Sequence, residues 1–151
     1  MSTLLFHDRY LDYDFGPEHP FSPVRQEMTI DLLDALGHPV GAVEPPVATR
    51  EDVRRVHSER FVGKVEAASD GSPDGRRDRS FGLNTGDVPV FENMDAATRG
   101  LVGGTLHGAH LIAEGDATRV LQLGGGLHHA REERASGFCV YNDLSVAIDA
   151  L

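Results

Sequence analysis

The sequence has little cysteine, no long apolar run and no leader-like N-terminus. Cys139 is the only cysteine among 151 residues, which excludes an internal disulfide and a cysteine-rich zinc site and suits a reducing compartment. No apolar run approaches the roughly twenty residues of a membrane span, and residues 1–10 lack the basic and apolar segments of a signal peptide. These absences predict a cytoplasmic protein with no membrane contact, in which any metal site relies on histidine and carboxylate side chains.

Basic residues are also scarce relative to acidic ones. The chain has 24 Asp and Glu residues against 14 Lys and Arg residues, which gives a formal net charge of −10 at pH 7. This balance argues against direct nucleic-acid binding and weakly favours a cationic substrate, such as a lysine-rich peptide or a polyamine. With 40% apolar and 25% charged residues, the chain is otherwise typical of one soluble globular domain or part of one. The composition is also compatible with a homo-oligomer.

Predicted strands alternate with predicted helices, which is typical of a layered α/β fold with a largely parallel sheet. Residues 3–7 predict a short strand, and the turn-rich segment 12–23 follows it. Ser22 as N-cap and Pro23 in the first turn predict a helix that ends at Gly37. Its apolar positions predict an amphipathic face: Val24, Met28, Leu32, Leu33 and Leu36.

The middle of the chain predicts further helices and one polar loop. Thr49 with Asp52 predicts a capped helix to His57, and Ser58 a second one through residue 68. We interpret His57 as a solvated or capping residue without chemistry. Residues 69–80 contain no apolar side chain and predict a surface loop. Residues 94–114 predict a long helix with Asp95 as its candidate cap, and its many small residues indicate burial against the sheet.

The stretch 119–143 carries the strongest functional signal. A predicted strand at 119–123 is followed by three glycines and then by His128 and His129. Neighbouring side chains of a strand point to opposite faces, so adjacent histidines serve one site only from an irregular loop. The glycines provide such a loop just past the carboxyl end of a strand, where open α/β sheets bind ligands. The alternative is a pair of loop histidines bonded to nearby carbonyl groups.

Three motifs resemble the histone deacetylase family, which includes bacterial acetoin-utilisation proteins and acetylpolyamine amidohydrolases. They are GGLHHA at 125–130 with SGFCVYND at 136–143, GPEHPFSPVR at 16–25, and FGLNTGDVPVF at 81–91. The resemblance implies a three-layer α/β fold of the arginase-deacetylase type. It also implies that residues 1–151 form the N-terminal part of a single domain, truncated after the tandem-histidine loop and the following helix, without its C-terminal metal-binding part.

The resemblance further implies roles for eight residues, each with a purely structural alternative. They are two catalytic histidines (His128, His129), three substrate-binding residues at the mouth and wall of a tunnel (Asp87, Gly137, Phe138), a channel arginine (Arg25) and two glycines that set the loop geometry (Gly125, Gly126). A turn-forming role of Asp87 is weighed equally with its role at the tunnel mouth. We expect His19 to be structural.

The implied activity is zinc-dependent hydrolysis of the amide of an acetylated lysine or an acetylated polyamine. Zinc would polarise the carbonyl group, and the two histidines would move protons. No zinc ligand is expected among residues 1–151, because the family's ligands lie beyond Leu151, so the isolated chain is expected to be inactive. Two alternatives remain open: another metallohydrolase of the arginase fold, and a non-catalytic binding or assembly module.

Overall fold

The computed structural model describes residues 2–38, 41–71 and 79–151. Its elements are, in chain order, β1 (Ser2–Leu5), a 3-10 turn (Asp8–Tyr10), α1 (Val24–Ala35), β2 (Ala42–Val43), α2 (Arg50–Arg54), α3 (Glu59–Ser69), α4 (Met94–Ala113), β3 (Arg119–Gln122) and α5 (Asp143–Ala150). Most of the predicted surface loop at 69–80, namely residues 72–78, lies outside the described residues.

The three strands form one parallel sheet in the order β2-β1-β3. Leu4 of β1 lies opposite Ala42 of β2 and Leu121 of β3, so β1 is central. Parallel strands require crossover connections, and helices supply them here. The predicted α/β class with a parallel sheet is confirmed, and β3 carries the glycine loop at its carboxyl end.

Helix α4 packs closely on the sheet through its glycines. A Cβ atom at Gly108 would lie 3.0 Å from Cγ1 of Val120 and 3.3 Å from Cδ1 of Leu5. At Gly103 a Cβ atom would lie 2.1 Å from the carbonyl oxygen of Pro46, so only glycine fits against that segment. The predicted burial of this helix is therefore confirmed, and close backbone approach explains why its interior tolerates residues of poor helix propensity.

The predicted cap of α4 is wrong. Asn93 occupies the N-cap position with a φ of 61° and makes no side-chain capping bond. Asp95 instead lies inside the helix, where its carboxylate accepts hydrogen bonds from the Tyr141 hydroxyl at 2.8 Å and from Nε of Arg99 at 2.8 Å. One partner is tertiary and the other lies four residues later in the same helix, and together they use both carboxylate oxygens of Asp95.

Helix α1 is present, but its predicted amphipathic face and cap are wrong. Val24, Met28, Leu32 and Leu36 are 50% to 65% exposed, and Gln26 is the buried residue of the helix. Pro23 rather than Ser22 is the N-cap residue, without a side-chain bond. Apolar periodicity identifies a helix face, but it does not show that another element covers that face.

Helices α2 and α3 begin as the sequence predicts. The Thr49 hydroxyl accepts from the Asp52 amide, and the Asp52 carboxylate accepts from the Thr49 amide, which completes a capping box. The Ser58 hydroxyl accepts from the Phe61 amide. Among the described residues, no helix is both long and apolar enough to cross a lipid bilayer.

Candidate active site

A buried carboxylate anchors the loop that carries the histidines. Asp143, the first residue of α5, has no exposed surface. Its Oδ2 atom accepts hydrogen bonds from the Gly126 amide at 2.9 Å and the Thr105 hydroxyl at 2.5 Å, and its Oδ1 atom accepts one from the Leu127 amide at 2.6 Å. Helix α5 therefore fixes the backbone immediately before the tandem histidines.

Gly125 and Gly126 are needed in this loop for different physical reasons. A Cβ atom at Gly125 would lie 2.6 to 2.8 Å from side-chain oxygens of Gln122, Thr105 and Asp143. Gly126 has open space around it but a φ of +89°, which side chains disfavour. The first glycine gives the anchoring groups room, and the second allows the backbone to turn.

The two histidine side chains lie side by side. Both residues are exposed, and their ring centroids are 4.2 Å apart with an interplanar angle of 38°. Nδ1 of His128 lies 2.8 Å from the Gly126 carbonyl oxygen. A carbonyl oxygen only accepts, so this bond requires a proton on Nδ1 and leaves Nε2 of the neutral ring as a proton acceptor. The loop thus brings two titratable groups to one exposed position.

His57 and Asn142 hold the far end of the same loop. The Asn142 amide donates to Nε2 of His57 at 2.9 Å, and Nδ1 of His57 lies 3.2 Å from the Glu132 carbonyl oxygen. The Asn142 side-chain amide donates to the carbonyl oxygens of Ala130 at 3.0 Å and His128 at 3.4 Å. Its Oδ1 atom caps α5 by accepting from the Ser145 amide.

The interpretation of His57 as solvated is wrong, because the residue is only 2% exposed. Burial lowers the pKa of His57, against smaller opposing contributions from backbone hydrogen bonds. This favours the neutral ring, whose Nε2 atom must be free to accept from Asn142. Sequence reasoning overlooked this role. The sequence signal near this contact is the pair Asn142-Asp143 before an apolar run, which is typical of a helix N-terminus. No local pattern links that pair to His57.

A tight turn brings Asp87 and Gly137 to His129. Ser136 and Cys139 exchange two backbone hydrogen bonds around Gly137 and Phe138. The Gly137 amide donates to Oδ2 of Asp87 at 2.6 Å. A Cβ atom at Gly137 would lie 2.6 Å from Cγ of His129, so the histidine ring packs directly on the glycine.

The Phe138 ring of this turn packs against His19 of the N-terminal segment. Their rings meet edge to face with centroids 4.6 Å apart. Nδ1 of His19 accepts from the Phe21 amide at 3.1 Å, which agrees with the expected structural role of His19. The structure thus brings five of the predicted site residues together: His128, His129, Asp87, Gly137 and Phe138.

Arg25 lies apart from the histidine pair. It is exposed, and its guanidinium group stacks over the Phe21 ring at 4.6 Å from the centroid. Its neighbour Gln26 is 2% exposed, and neither amide atom has a hydrogen-bond partner among the described residues. A Cβ atom at Gly124 would lie 3.1 Å from Oε1 of Gln26. The residue beneath the glycine loop is therefore Gln26, which sequence reasoning did not identify.

The described residues do not fit a zinc site by themselves. Within residues 2–38, 41–71 and 79–151, no group of three or more His, Cys, Asp or Glu side chains is placed to hold a metal ion. The Asp143 carboxylate is directed at backbone amides of the loop, and the only cysteine, Cys139, is buried.

An apolar cleft of about 600 Å³ opens beside the glycine loop. It lies between α4, β3 and α5, and both Gly125 and Gly126 contribute to its wall. Its largest apolar side chains are Ile112, Val120, Leu144, Ile148 and Leu151. The cleft and the histidine pair thus lie at the same loop, although neither histidine lines the cleft.

Comparison with known proteins identifies the family. Residues 19–151 match the histone deacetylase domain. The chain belongs to the histone deacetylase family. The resemblance found in the motifs is confirmed, and with it the arginase-deacetylase fold class of which the parallel sheet is part.

Three similar proteins are bacterial and longer than this chain. The chain is 40% identical over 149 residues to acetoin utilization protein AcuC of Bacillus subtilis (strain 168), which covers 97% of this chain and 38% of that protein. It is 36% identical over 152 residues to AcuC of Staphylococcus aureus (strain MSSA476), which covers 99% of this chain and 39% of that protein. AcuC of Staphylococcus xylosus is 33% identical, with 97% and 39% covered. The chain therefore spans about two-fifths of the length of these relatives.

Proposed function

We propose that these residues belong to a deacetylase that hydrolyses the amide of an acetylated lysine or an acetylated polyamine. In this proposal residues 1–151 are the N-terminal part of one deacetylase domain, and His128 and His129 are its catalytic residues. The observation that carries the proposal is the pair of exposed imidazole rings 4.2 Å apart, held on a loop that buried side chains anchor, in a chain of the histone deacetylase family.

The histidines have the chemistry that amide hydrolysis needs. A base must accept a proton from the attacking water, and an acid must protonate the leaving amine. Imidazole titrates near neutral pH and performs both tasks. His128 presents Nε2 as an acceptor when Gly126 holds the proton on Nδ1. The adjacent ring of His129 is a second proton carrier at the same position.

In this proposal the substrate stem lies beside the turn at 136–139, along the surface that Phe138 and the histidines form. Gly137 leaves no side chain between that turn and His129, and Phe138 offers an apolar ring. Asp87 uses Oδ2 for the Gly137 amide, so in this proposal Oδ1 accepts from the substrate backbone. We also assign Arg25 to the inner channel, as the family motif at 16–25 implies; its guanidinium group stacks on the Phe21 ring.

Zinc is the metal that the family implies. When bound, it would polarise the acyl carbonyl group. Since the described residues form no metal site, we propose that its ligands lie outside residues 1–151, and we assign no step to the metal here.

A second candidate function is a non-catalytic binding or assembly module. One observation favours it: a large apolar cleft adjoins the loop. Such a module would bind a partner through the cleft and would not need the histidines. Another hydrolase of the arginase fold would need them but would act on a different amide or amidine.

The deciding experiment measures acetate release from a peptide with one Nε-acetyl-lysine and from an acetylated polyamine. It uses the longest natural form of the protein that contains residues 1–151, together with its His128→Ala and His129→Ala variants. We expect the variant that lacks the proton-transferring residue to lose about 10²–10⁴-fold in rate. The double variant should lose less than the product of the two single losses, because both groups act on one transition state. The 151-residue chain alone should be inactive.

The matched control is His107→Ala, which removes a half-buried histidine of α4 away from the loop. It should change turnover by no more than a few-fold. Bound metal and melting temperature are measured on every variant. Unchanged turnover with a lower melting temperature in His128→Ala and His129→Ala would show that these are structural histidines, and the proposal would then be abandoned.

A further inference from the structure

The turn that carries Phe138 has a backbone conformation that its sequence does not favour. Gly137 and Phe138 have φ angles of 55° and 65°, and the flanking Ser136 and Cys139 exchange two backbone hydrogen bonds. Positive φ at both central residues is the geometry of a type I′ turn, which strongly prefers asparagine or glycine. Phenylalanine at the second position is an outlier, and such outliers persist only where surrounding structure holds them.

One buried hydroxyl holds this turn from the side. The Tyr13 hydroxyl donates to the Phe138 carbonyl oxygen at 2.7 Å and accepts from the Val140 amide at 3.2 Å. These two groups flank Cys139, the last residue of the turn. A chain segment more than 120 positions earlier in the sequence therefore supplies both bonds.

The hydroxyl is itself held in place. Tyr13 has no exposed surface, and its ring meets Phe15, Phe21 and Phe91 edge to face, with centroids 5.2 to 5.6 Å away. Burial raises the pKa of Tyr13 well above its usual value, so the hydroxyl keeps its proton as a donor. The aromatic cluster thus gives the turn a rigid support.

We propose that Tyr13 is a positioning residue of the deacetylase site, which holds Phe138 in its left-handed conformation so that the Phe138 ring and Gly137 form the wall beside His129. This inference rests on the proposed function for its consequence on substrate binding. The geometric part rests on the two hydrogen bonds of the hydroxyl, on the φ of Phe138, and on the contact between Gly137 and His129.

The test is Tyr13→Phe, which removes both hydrogen bonds and retains the ring. The matched control is Tyr141→Phe, since Tyr141 is also fully buried and its hydroxyl donates one hydrogen bond, to Asp95 at 2.8 Å. Both variants lose a buried hydroxyl, so a general loss of stability should affect both. Only Tyr13→Phe should disturb the turn.

Two readouts separate positioning from stability. In the longest natural form, the KM of Tyr13→Phe for the acetyl-lysine peptide should rise roughly tenfold, because the loss of one aromatic contact weakens binding by about that factor. The kcat should change less. The control should keep its KM. In the 151-residue chain, hydrogen exchange at the Val140 amide should accelerate in Tyr13→Phe and not in Tyr141→Phe.

The outcomes distinguish the two proposals. A KM within twofold of the unmodified enzyme, or an equal rise in both variants, would overturn the inference about Tyr13. Unchanged exchange at Val140 would also overturn it, because the hydroxyl would then not hold the turn. If the unmodified protein releases no acetate, the proposed function fails, whereas the exchange data still decide whether Tyr13 supports the turn.

Discussion

Around the tandem histidines, buried polar side chains hold successive parts of the backbone, whereas on α1 and α5 large apolar side chains lie in solvent. Asp143, Asn142, Tyr13 and His57 together bind backbone groups between residues 126 and 142. In contrast, Met28 is 65% exposed and Ile148 is 75% exposed. The described residues therefore anchor the histidine loop through internal contacts, whereas the outer faces of these helices remain available for contact.

This difference implies that substitutions in the two regions act on different properties. In the anchored loop, removal of one partner leaves buried backbone amides without an acceptor, which lowers the free energy of unfolding. On the exposed faces, a polar substitution breaks no contact and should change association rather than folding. The predictions below test this contrast, beginning with the largest expected effect.

Asp143→Ala should destabilise the chain most. It removes the acceptor for two backbone amides and one hydroxyl, and a buried unsatisfied group costs about 1–3 kcal/mol. We expect a loss of about 3 kcal/mol or more in the free energy of unfolding, measured by urea denaturation.

The control for Asp143→Ala is Asp149→Ala in the same helix. Asp149 is half exposed and pairs with Arg55 at 3.4 Å, so its loss should cost less than about 1 kcal/mol. Equal losses in the two variants would contradict the view that Asp143 is a special anchor.

Gly125→Ala and Gly63→Ala should change the free energy of unfolding in opposite directions. At Gly125 the added methyl group would lie within 2.8 Å of three side-chain oxygens, whereas at Gly63, inside α3, nothing lies within 4 Å. We expect Gly125→Ala to lower the free energy of unfolding by about 1–3 kcal/mol and Gly63→Ala to raise it by up to about 1 kcal/mol. Thermal and urea unfolding of both variants check this, and a neutral Gly125→Ala would show that the loop relaxes.

His57 should make stability depend on pH. Its pKa is lowered in the folded state by burial, so the folded chain binds fewer protons than the unfolded chain between that lowered pKa and the ordinary value of about 6.5. Stability should therefore fall as the pH decreases below about 6.5, while it changes little from this group above that pH.

The measurement is the free energy of unfolding as a function of pH for the unmodified chain and for His57→Gln. Glutamine keeps an acceptor near the Asn142 amide but does not titrate, so the slope below pH 6.5 should decrease. An identical slope in the two proteins would exclude His57 as its source.

The smallest effect on stability is expected on the exposed faces. Leu32→Glu in α1 and Ile148→Glu in α5 should each change the free energy of unfolding by no more than about 0.5 kcal/mol, since these side chains are 58% and 75% exposed. They should nevertheless reduce self-association of the 151-residue chain, which we expect from its apolar faces and the unpaired edge of its sheet. Sedimentation velocity across a concentration series tests this, and a strictly monomeric unmodified chain would contradict it.

Local sequence patterns determined the secondary structure and the family. The strand before the three glycines, the capping box of Thr49 and Asp52, the cap at Ser58 and the small-residue helix all form as predicted, because capping, glycine conformation and short-range periodicity act within a few residues. The motifs around His128 and His129 identified the histone deacetylase family, because a long match of specific residues is far more informative than any single one.

Only the tertiary structure decided which groups hold the site and which faces are covered. Tyr13 reaches Phe138, and His57 reaches Asn142, across long stretches of sequence. For the same reason, Asp95 became a partner of Tyr141 rather than a cap, and the apolar stripe of α1 lies in solvent. Hydrogen bonds and burial depend on distances between atoms that only the assembled fold brings together, and a local pattern contains no information about those distances.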